Sequence, residues 1–188
     1  MKSEDELVEE VLSGRKTSFE VLLRPYRNIL LTTAYRMTGN LEEAKEISQE
    51  TLFKAFRRLR SYRQGTSFKN WLLRIVINTC YDFLRKRARV EAGIRNHERW
   101  LSTTDNENPE RIFSQKEIRE RIIHSLQSLS PRERAVFLLR DAEGLSIKEA
   151  SSLLGCSSGS VRTHLSRARQ KIREKLENVY FLKKNRVK

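Results

Sequence analysis

The sequence predicts an all-α protein of two small helical domains joined by a flexible linker, the C-terminal one a helix-turn-helix. Three observations predict it. Only 7 Gly and 3 Pro interrupt 188 residues. Apolar residues recur at three- and four-residue spacing along most of the chain. That period lapses once, between about Arg89 and Pro109, where EAGIRNHERWLSTTDNENPE is polar and ends in a cluster of turn formers. The expected units are a first domain at 1–90, a linker at 91–112, a second domain at 113–180 and a basic tail at 181–188. Trp100 and Leu101 are the apolar exception within the linker.

The first block of helices begins near Glu4. Within it, Asn40 can cap a helix running to about Leu59, with Glu43 completing a capping box. Leu41, Ala44, Ser48, Leu52, Ala55, Phe56 and Leu59 form its expected core face, with Ile47 and Thr51 on the edge. A second stripe of Glu42, Glu46, Gln49, Phe53, Arg57 and Arg60 runs away from that face. A helix needing only solubility rarely places a phenylalanine among those charges, so the stripe reads as a protein-binding surface anchored by Phe53.

The next helix spans about Ser67 to Arg89 and is apolar on two sides. Phe68, Trp71, Leu72, Ile75 and Thr79 make one side; Leu73, Ile77, Cys80 and Leu84 make the other. Such a helix is central to its domain. Between the faces remains a polar stripe of Asn70, Arg74, Asn78, Tyr81 and Arg85, leading into RKRAR. The loop SYRQGTSF before it carries Arg63, Gln64 and Gly65. Charges for phosphates, amides for base edges and rings for stacking are what single-stranded nucleic acid needs.

After the linker, Ser130, Pro131 and Glu133 mark a helix start, with Pro at the first helical position. This helix passes through Val136, Leu138 and Leu139 and ends near Gly144. Leu145 to Arg169 then reads as two short helices around a tight turn. Ser146 and Glu149 form a capping box, and Ile147, Ala150, Leu153 and Leu154 share one face. Gly155 supplies the left-handed stop, and Ser157 or Ser158 caps the second helix. There Val161, Leu165, Ala168, Ile172 and Leu176 are the buried stripe. Gly159, Thr163, Ser166 and Gln170 lie opposite, flanked by Arg162, Arg167 and Arg173. Guanidinium and short polar groups on an outward helix face suit base edges and phosphates in a major groove.

Charge agrees with an anionic partner. Lys and Arg number 38 against 24 Asp and Glu, a formal +14. The excess is uneven: residues 1–52 carry 7 basic and 10 acidic side chains, residues 53–100 carry 13 and 3, and residues 101–188 carry 18 and 11. The N-terminus MKSEDELVEE lacks the basic and apolar regions of a signal peptide, and no run is apolar enough to span a membrane. A cytoplasmic protein is expected. Cys80 and Cys156 have no metal-ligand spacing and read as reduced and packed. His97, His124 and His164 are scattered. No carboxylate cluster or nucleophile-base pair appears, so no enzyme activity, metal or cofactor is expected. The helix-turn-helix alone leaves repressor, activator and initiation factor open. A stand-alone helix-turn-helix regulator is the alternative reading, and it needs a dimer and a palindromic site. Nothing after Leu176 offers a convincing dimer helix.

Taken together, these segments resemble a bacterial RNA polymerase sigma factor of the extracytoplasmic-function (ECF) group. The similarity covers about Phe19 to Arg89 and about Ile122 to Leu176. GNLEEAKEISQETLFKAF resembles the core-polymerase-binding segment, SFKNWLLRIVINTCYDFLRKR the promoter-melting segment, and SLSPRERAVFLLRDAEGLSIKEASSLLGCSSGSVRTHLSRARQKI the fourth conserved region. The resemblance implies a stress-response transcription initiation factor that binds core RNA polymerase and directs it to promoters. Its expected partners are the clamp helices of the largest polymerase subunit, the flap of the second-largest, promoter DNA and an anti-sigma factor.

The resemblance also implies site roles. Glu42, Glu46, Gln49, Glu50, Phe53 and Arg57 would bind core polymerase. Arg63, Gln64, Ser67, Asn70, Trp71, Arg74, Asn78, Tyr81 and Arg85 would engage the minus-ten element, with the Ser61–Ser67 loop and Asn78 capturing a base flipped from the non-template strand. Arg162, Thr163, Ser166, Arg167 and Gln170 would read the minus-thirty-five duplex. The sequence departs from the family pattern in AKEISQ, where AEDLVQ is frequent, in GCSSGS, where GCPVGT is common, and at His164, where a basic residue is frequent.

Overall fold

The structure, a computed structural model, describes the backbone of residues 2–95 and 115–184 and the side chains of 2–92 and 120–175. Nine α-helices make up most of those described residues: α1 (Glu4–Leu12), α2 (Thr17–Leu23), α3 (Arg27–Thr38), α4 (Leu41–Arg58), α5 (Phe68–Arg95), α6 (Gln115–Gln127), α7 (Pro131–Phe137), α8 (Ile147–Leu154) and α9 (Ser158–Lys184). The helix α5 continues to Arg95, so the first five residues of the expected linker are helical. Trp100 and Leu101 lie outside the described residues.

In the N-terminal half, α3 packs against both α4 and α5, and α1 packs on α2. Leu30, Met37, Ile47, Leu59, Phe68, Leu72 and Ile77 are fully enclosed there. The helix α5 is central as expected, with Leu72, Leu73, Val76 and Ile77 all buried. The core face of α4 differs from the expected one. Its buried residues are Ala44, Ile47, Thr51 and Ala55, while Leu41 is 49% and Phe56 39% exposed. The face is turned toward Ile47 because Thr51 is accommodated inside, its hydroxyl donating to the Ile47 carbonyl at 2.7 Å.

Capping explains most helix starts. Ser3, Ser130 and Ser146 each form a full capping box, with Glu6, Glu133 and Glu149 respectively. Asn40 caps α4 by accepting from the amides of Glu42 and Glu43. The expected box does not close there. The Glu43 carboxylate instead accepts two bonds from Arg87 on α5, at 3.0 and 2.9 Å, a charged pairing stronger than one reciprocal cap bond.

The C-terminal half is built on α9, against which α7 and α8 both pack. The helix expected to run from Pro131 toward Gly144 changes character after Phe137. Leu138–Ala142 form a π turn, in which the Glu143 amide bonds the Leu138 carbonyl at 2.9 Å. Gly155 closes α8 in the left-handed conformation, at φ 64°, and the Ser157 hydroxyl accepts from the Ser160 amide at the start of α9.

The two halves are in contact: α6 and α7 lie on α3, and α7 and α8 lie on α5. At their junction sits Arg134, only 4% exposed. Its guanidinium donates to the carbonyls of Met37, at the end of α3, and of Gln127 and Leu129, at and just beyond the end of α6. It also donates to the Gln127 side-chain oxygen at 2.6 Å, and the Gln127 amide donates to the Arg36 carbonyl at 3.3 Å. Gly39 permits this approach. It ends α3 at φ 79°, and a Cβ there would fall 2.8 Å from the Gln127 side chain. Lys69 and Glu143 add an ion pair at 2.9 Å between α5 and the C-terminal half.

Arg134→Ala removes the donor that satisfies three carbonyls at this junction. We expect a loss of about 2–4 kcal/mol of unfolding free energy, measured by urea denaturation followed by circular dichroism. A loss below about 1 kcal/mol contradicts the role given to this residue.

Candidate nucleic-acid interface

The outer side of α9 carries the polar face the spacing predicts. Arg162, Thr163, Ser166, Arg167 and Gln170 are all exposed, and Val161, Leu165 and Ala168 are buried beneath them. Two ion pairs fix the helix's rotation. Asp141 of the π turn takes a bidentate pair from Arg169, at 2.9 and 2.6 Å, and Glu133 accepts from Lys171 at 2.8 Å. Thr163 and Gln170 make bonds within α9, to the Gly159 carbonyl and to Glu174. Arg162, Ser166 and Arg167 have no side-chain partner among the described residues and are free to meet a ligand.

On α5 the polar stripe is present, and its members differ in what surrounds them. Arg74, Asn78 and Arg85 are exposed; Asn70 and Tyr81 are half-buried. Trp71 stacks on Phe68 at 5.4 Å between ring centroids and meets Tyr62 edge-on at 5.7 Å. Tyr62 in turn meets Phe68 at 5.1 Å, so Trp71 belongs to an aromatic cluster that supports the loop. Ser67 caps α5, its hydroxyl oxygen accepting from the Asn70 amide at 3.2 Å. Arg63 and Gln64 are exposed on the loop.

Asn78, Tyr81 and Arg85 share a cavity of about 770 Å³ with Arg132, Ser160 and His164 of the C-terminal half. Burial there pushes the Tyr81 phenol up to about 12, against the pull of Arg132. His164 is half-buried, and its Nδ1 is enclosed without a hydrogen-bond partner. The middle of the α5 stripe therefore faces the C-terminal half, whereas Arg162, Thr163 and Ser166 line no part of that cavity.

The acidic stripe of α4 is outward along its length. Glu42, Glu46, Gln49, Glu50, Phe53 and Arg57 are exposed, and Phe53 is 56% so. The Arg57 guanidinium lies 5.5 Å from the Phe53 ring centroid, a cation–π contact that holds the ring on the surface. Glu42 pairs with Lys45 and Glu50 with Lys54. Glu46 and Gln49 have no side-chain partner among the described residues. The helical block was expected to begin near Glu4, where α1 starts, but sequence reasoning missed the contact of the α1 acids with the 62–67 loop, and it missed Arg134. The Ser3–Glu6 capping box signals the helix but not that contact; Arg134 had no local signal.

No group of His, Cys, Asp or Glu that could hold a metal occurs among the described residues. No described helix is long and apolar enough to cross a membrane.

Two family models match the chain: Sigma-70 region 2 over residues 22–90 and Sigma-70 region 4 over residues 119–172. The ECF RNA polymerase sigma factor SigE of Mycolicibacterium smegmatis is 35% identical over 159 residues, covering 85% of this chain and 62% of that protein. The chain thus spans about three fifths of that relative's length. The RNA polymerase sigma-H factor of Pseudomonas aeruginosa is 31% identical over 183 residues, covering 94% of this chain and 95% of that protein. Among solved structures, the sigma factor RpoE of Bartonella quintana, in complex with the anti-sigma factor NepR, superposes with a TM-score of 0.67 at 26% identity. That match covers 85% of this chain and 96% of the other.

The two cysteines should respond differently to alkylation. Cys80 is fully buried, and burial raises its thiol to about 12; Cys156 is half-buried beside the α8–α9 turn. Iodoacetamide at pH 8, read by peptide mass spectrometry, should label Cys156 at least tenfold faster than Cys80. Equal rates contradict this packing.

Proposed function

This chain belongs to the ECF RNA polymerase sigma factors, which direct RNA polymerase to promoters through regions 2 and 4, and from that premise we propose how its own surfaces divide the work. The α4 stripe binds core polymerase, at the clamp helices of the largest subunit. The α5 stripe and the 61–67 loop take the melted minus-ten strand, with a flipped base held by the loop and Asn78. The outer face of α9 reads the minus-thirty-five duplex, and the C-terminal half meets the polymerase flap. The observation carrying this reading is the separation of three exposed surfaces of distinct chemistry. One is acidic with an aromatic anchor, one is basic with amides beside a loop, and one is a basic helix face on a helix-turn-helix.

The chemistry of each surface supports its assignment. Glu46 and Gln49 offer unpaired polar groups around the exposed Phe53 ring, an anchor that a partner's pocket can enclose. Arg74 and Arg85 can neutralise phosphates, while Asn78 presents both amide donors and an acceptor to a base edge. Holding an extruded base shifts the duplex toward melting, because pocket contacts offset an unstacking cost of a few kcal/mol. Arg162 and Arg167 can pair bidentately with guanine edges. Joining two modest DNA contacts through one large partner raises their effective concentration, so neither half alone need bind tightly. A DNA strand following α5 past Asn78 and Arg85 requires the C-terminal half to move off the shared cavity. An anti-sigma factor is a further partner, by analogy with the RpoE–NepR complex, and the site of action is the cytoplasm, where polymerase works.

Run-off transcription with purified core polymerase on genomic templates tests the whole reading: promoter-specific transcripts are expected, and their absence from every template sinks it. Two variants test its parts. Replacing Gln49 and Phe53 by Ala should weaken core binding at least tenfold in a fluorescence titration, with unchanged affinity counting against the α4 assignment. Arg162→Ala should cost about 1–3 kcal/mol at the cognate minus-thirty-five duplex. A loss uniform over all sequences would mark it as a phosphate contact instead.

A further inference from the structure

The first helix reaches the loop that the preceding reading assigns to base capture. Ser3 and Glu6 cap α1, and Leu7, Val8 and Val11 bury its inner face, which fixes the position of its acidic side chains. The half-buried Asp5 accepts from the backbone amide of Gly65 at 3.1 Å. Its other oxygen lies 3.5 Å from the Tyr62 hydroxyl. That hydroxyl donates to the Thr66 carbonyl at 2.6 Å, closing the loop on itself. One turn further along α1, Glu9 accepts from the Gln64 side-chain amide at 3.2 Å.

These contacts hold the loop at its tip, at its base and at its most prominent side chain. With one N–H of its amide donated to Glu9, Gln64 is held in one orientation, with its carbonyl oxygen and second N–H left for a ligand. We propose that Asp5, assisted by Glu9, is a positioning residue that sets the base preference of the 62–67 loop from the N-terminal helix, without touching DNA itself. The inference rests on the assignment of this loop to the minus-ten base. Its physical content is preorganisation: a loop already held in its reading shape loses less conformational entropy on binding. It also presents the Gln64 amide in one orientation, which favours a base whose edge matches that placement of donor and acceptor.

The test uses holoenzyme reconstituted from core polymerase and the full chain. Labelled single-stranded non-template oligonucleotides span the minus-ten element of the strongest promoter found by run-off transcription, with each of the four bases at the captured position. Asp5→Ala keeps the buried face of α1 and is expected to reduce discrimination between the best base and the other three by about tenfold, with core affinity unchanged. Asp5→Asn retains an oxygen that can accept from Gly65 and should keep most of that discrimination. Amide exchange at Gly65 should be at least tenfold faster in Asp5→Ala than in the parent.

Gln64→Ala separates the failure modes. If Gln64→Ala flattens base preference while Asp5→Ala leaves it within twofold of the parent, the inference is overturned and the minus-ten assignment stands. If both leave preference unchanged, the assignment of the loop is overturned and the inference with it. Equal weakening toward all four bases in Asp5→Ala, or loss of core affinity, assigns Asp5 a purely structural role and also overturns the proposal.

Discussion

A buried guanidinium without a carboxylate partner organises this molecule. Arg134 lies between the halves, and burial, then the nearby charge of Arg87, lowers it to about 10, so it remains charged at neutral pH. What compensates the charge is backbone. The α3 and α6 helices both end at this point, and the carbonyls left unpaired at their C-termini carry the negative end of each helix dipole. Met37 and Gln127 supply two of those carbonyls, and Leu129 a third from the turn that follows α6. One side chain thus satisfies acceptors from both halves of the chain. An aliphatic residue of similar size would fill the space and leave those carbonyls bare. The close approach at Gly39 follows from the same geometry, since Gln127 must lie against α3 to share the guanidinium.

That junction governs what the polar surfaces of α5 and α9 can present. With α7 and α8 laid on α5, the stripe from Asn78 to Arg85 borders the interdomain cavity. The outer face of α9 stays open because Asp141 and Glu133 hold the helix by its other sides. The Arg169–Asp141 pair is partly solvated and contributes little stability, whereas Lys171 compensates a Glu133 carboxylate that is itself buried. The effect of both pairs is on rotation, which decides which side chains of α9 point outward. The acidic stripe of α4 is untouched by the junction: Arg87 pairs with Glu43 beside it, while Glu46 and Gln49 stay outward and Phe53 is held at the surface by Arg57.

How much of this was legible in the sequence depends on the range of the interaction involved. The boxes at Ser130 and Ser146 span three residues, and local chemistry decided them; both formed as the sequence indicated. The outward face of α9 and the two-sided burial of α5 followed from helical period alone. The box at Asn40 failed because its acid found Arg87, 44 residues away, and no local rule weighs such a competitor. The face of α4 turned toward Ile47 because Thr51 could satisfy its hydroxyl internally, a possibility that a hydropathy pattern treats as polar and therefore exposed. The π turn at Leu138–Ala142 displaces the helical register by one residue, which period counting over so short a segment does not detect. Arg134 was illegible because its partners are carbonyls, present at every position and marked by none.

The acidic character of residues 1–52 at first conflicts with a nucleic-acid role for the loop they touch. The contacts resolve the conflict by showing where individual charges go. Glu10 is bound by Lys2, Arg15 and Ser18, and the hydrogen bonds from Lys2 and Ser18 hold its carboxyl below the usual range. Glu4 accepts from Tyr26, whose ring packs on Phe68. Asp5 and Glu9 meet the loop itself. Burial first, then the Asp5 charge, raises the Tyr62 phenol, which keeps it a hydrogen-bond donor to Thr66 throughout the physiological range. An acid placed this way acts on donors of the protein at about 3 Å. Its repulsion of a phosphate beyond the loop is screened over a length of about 8–10 Å at cellular salt. Short-range order and long-range repulsion therefore separate by distance, so the acids of α1 are compatible with the polyanion contact proposed for this loop.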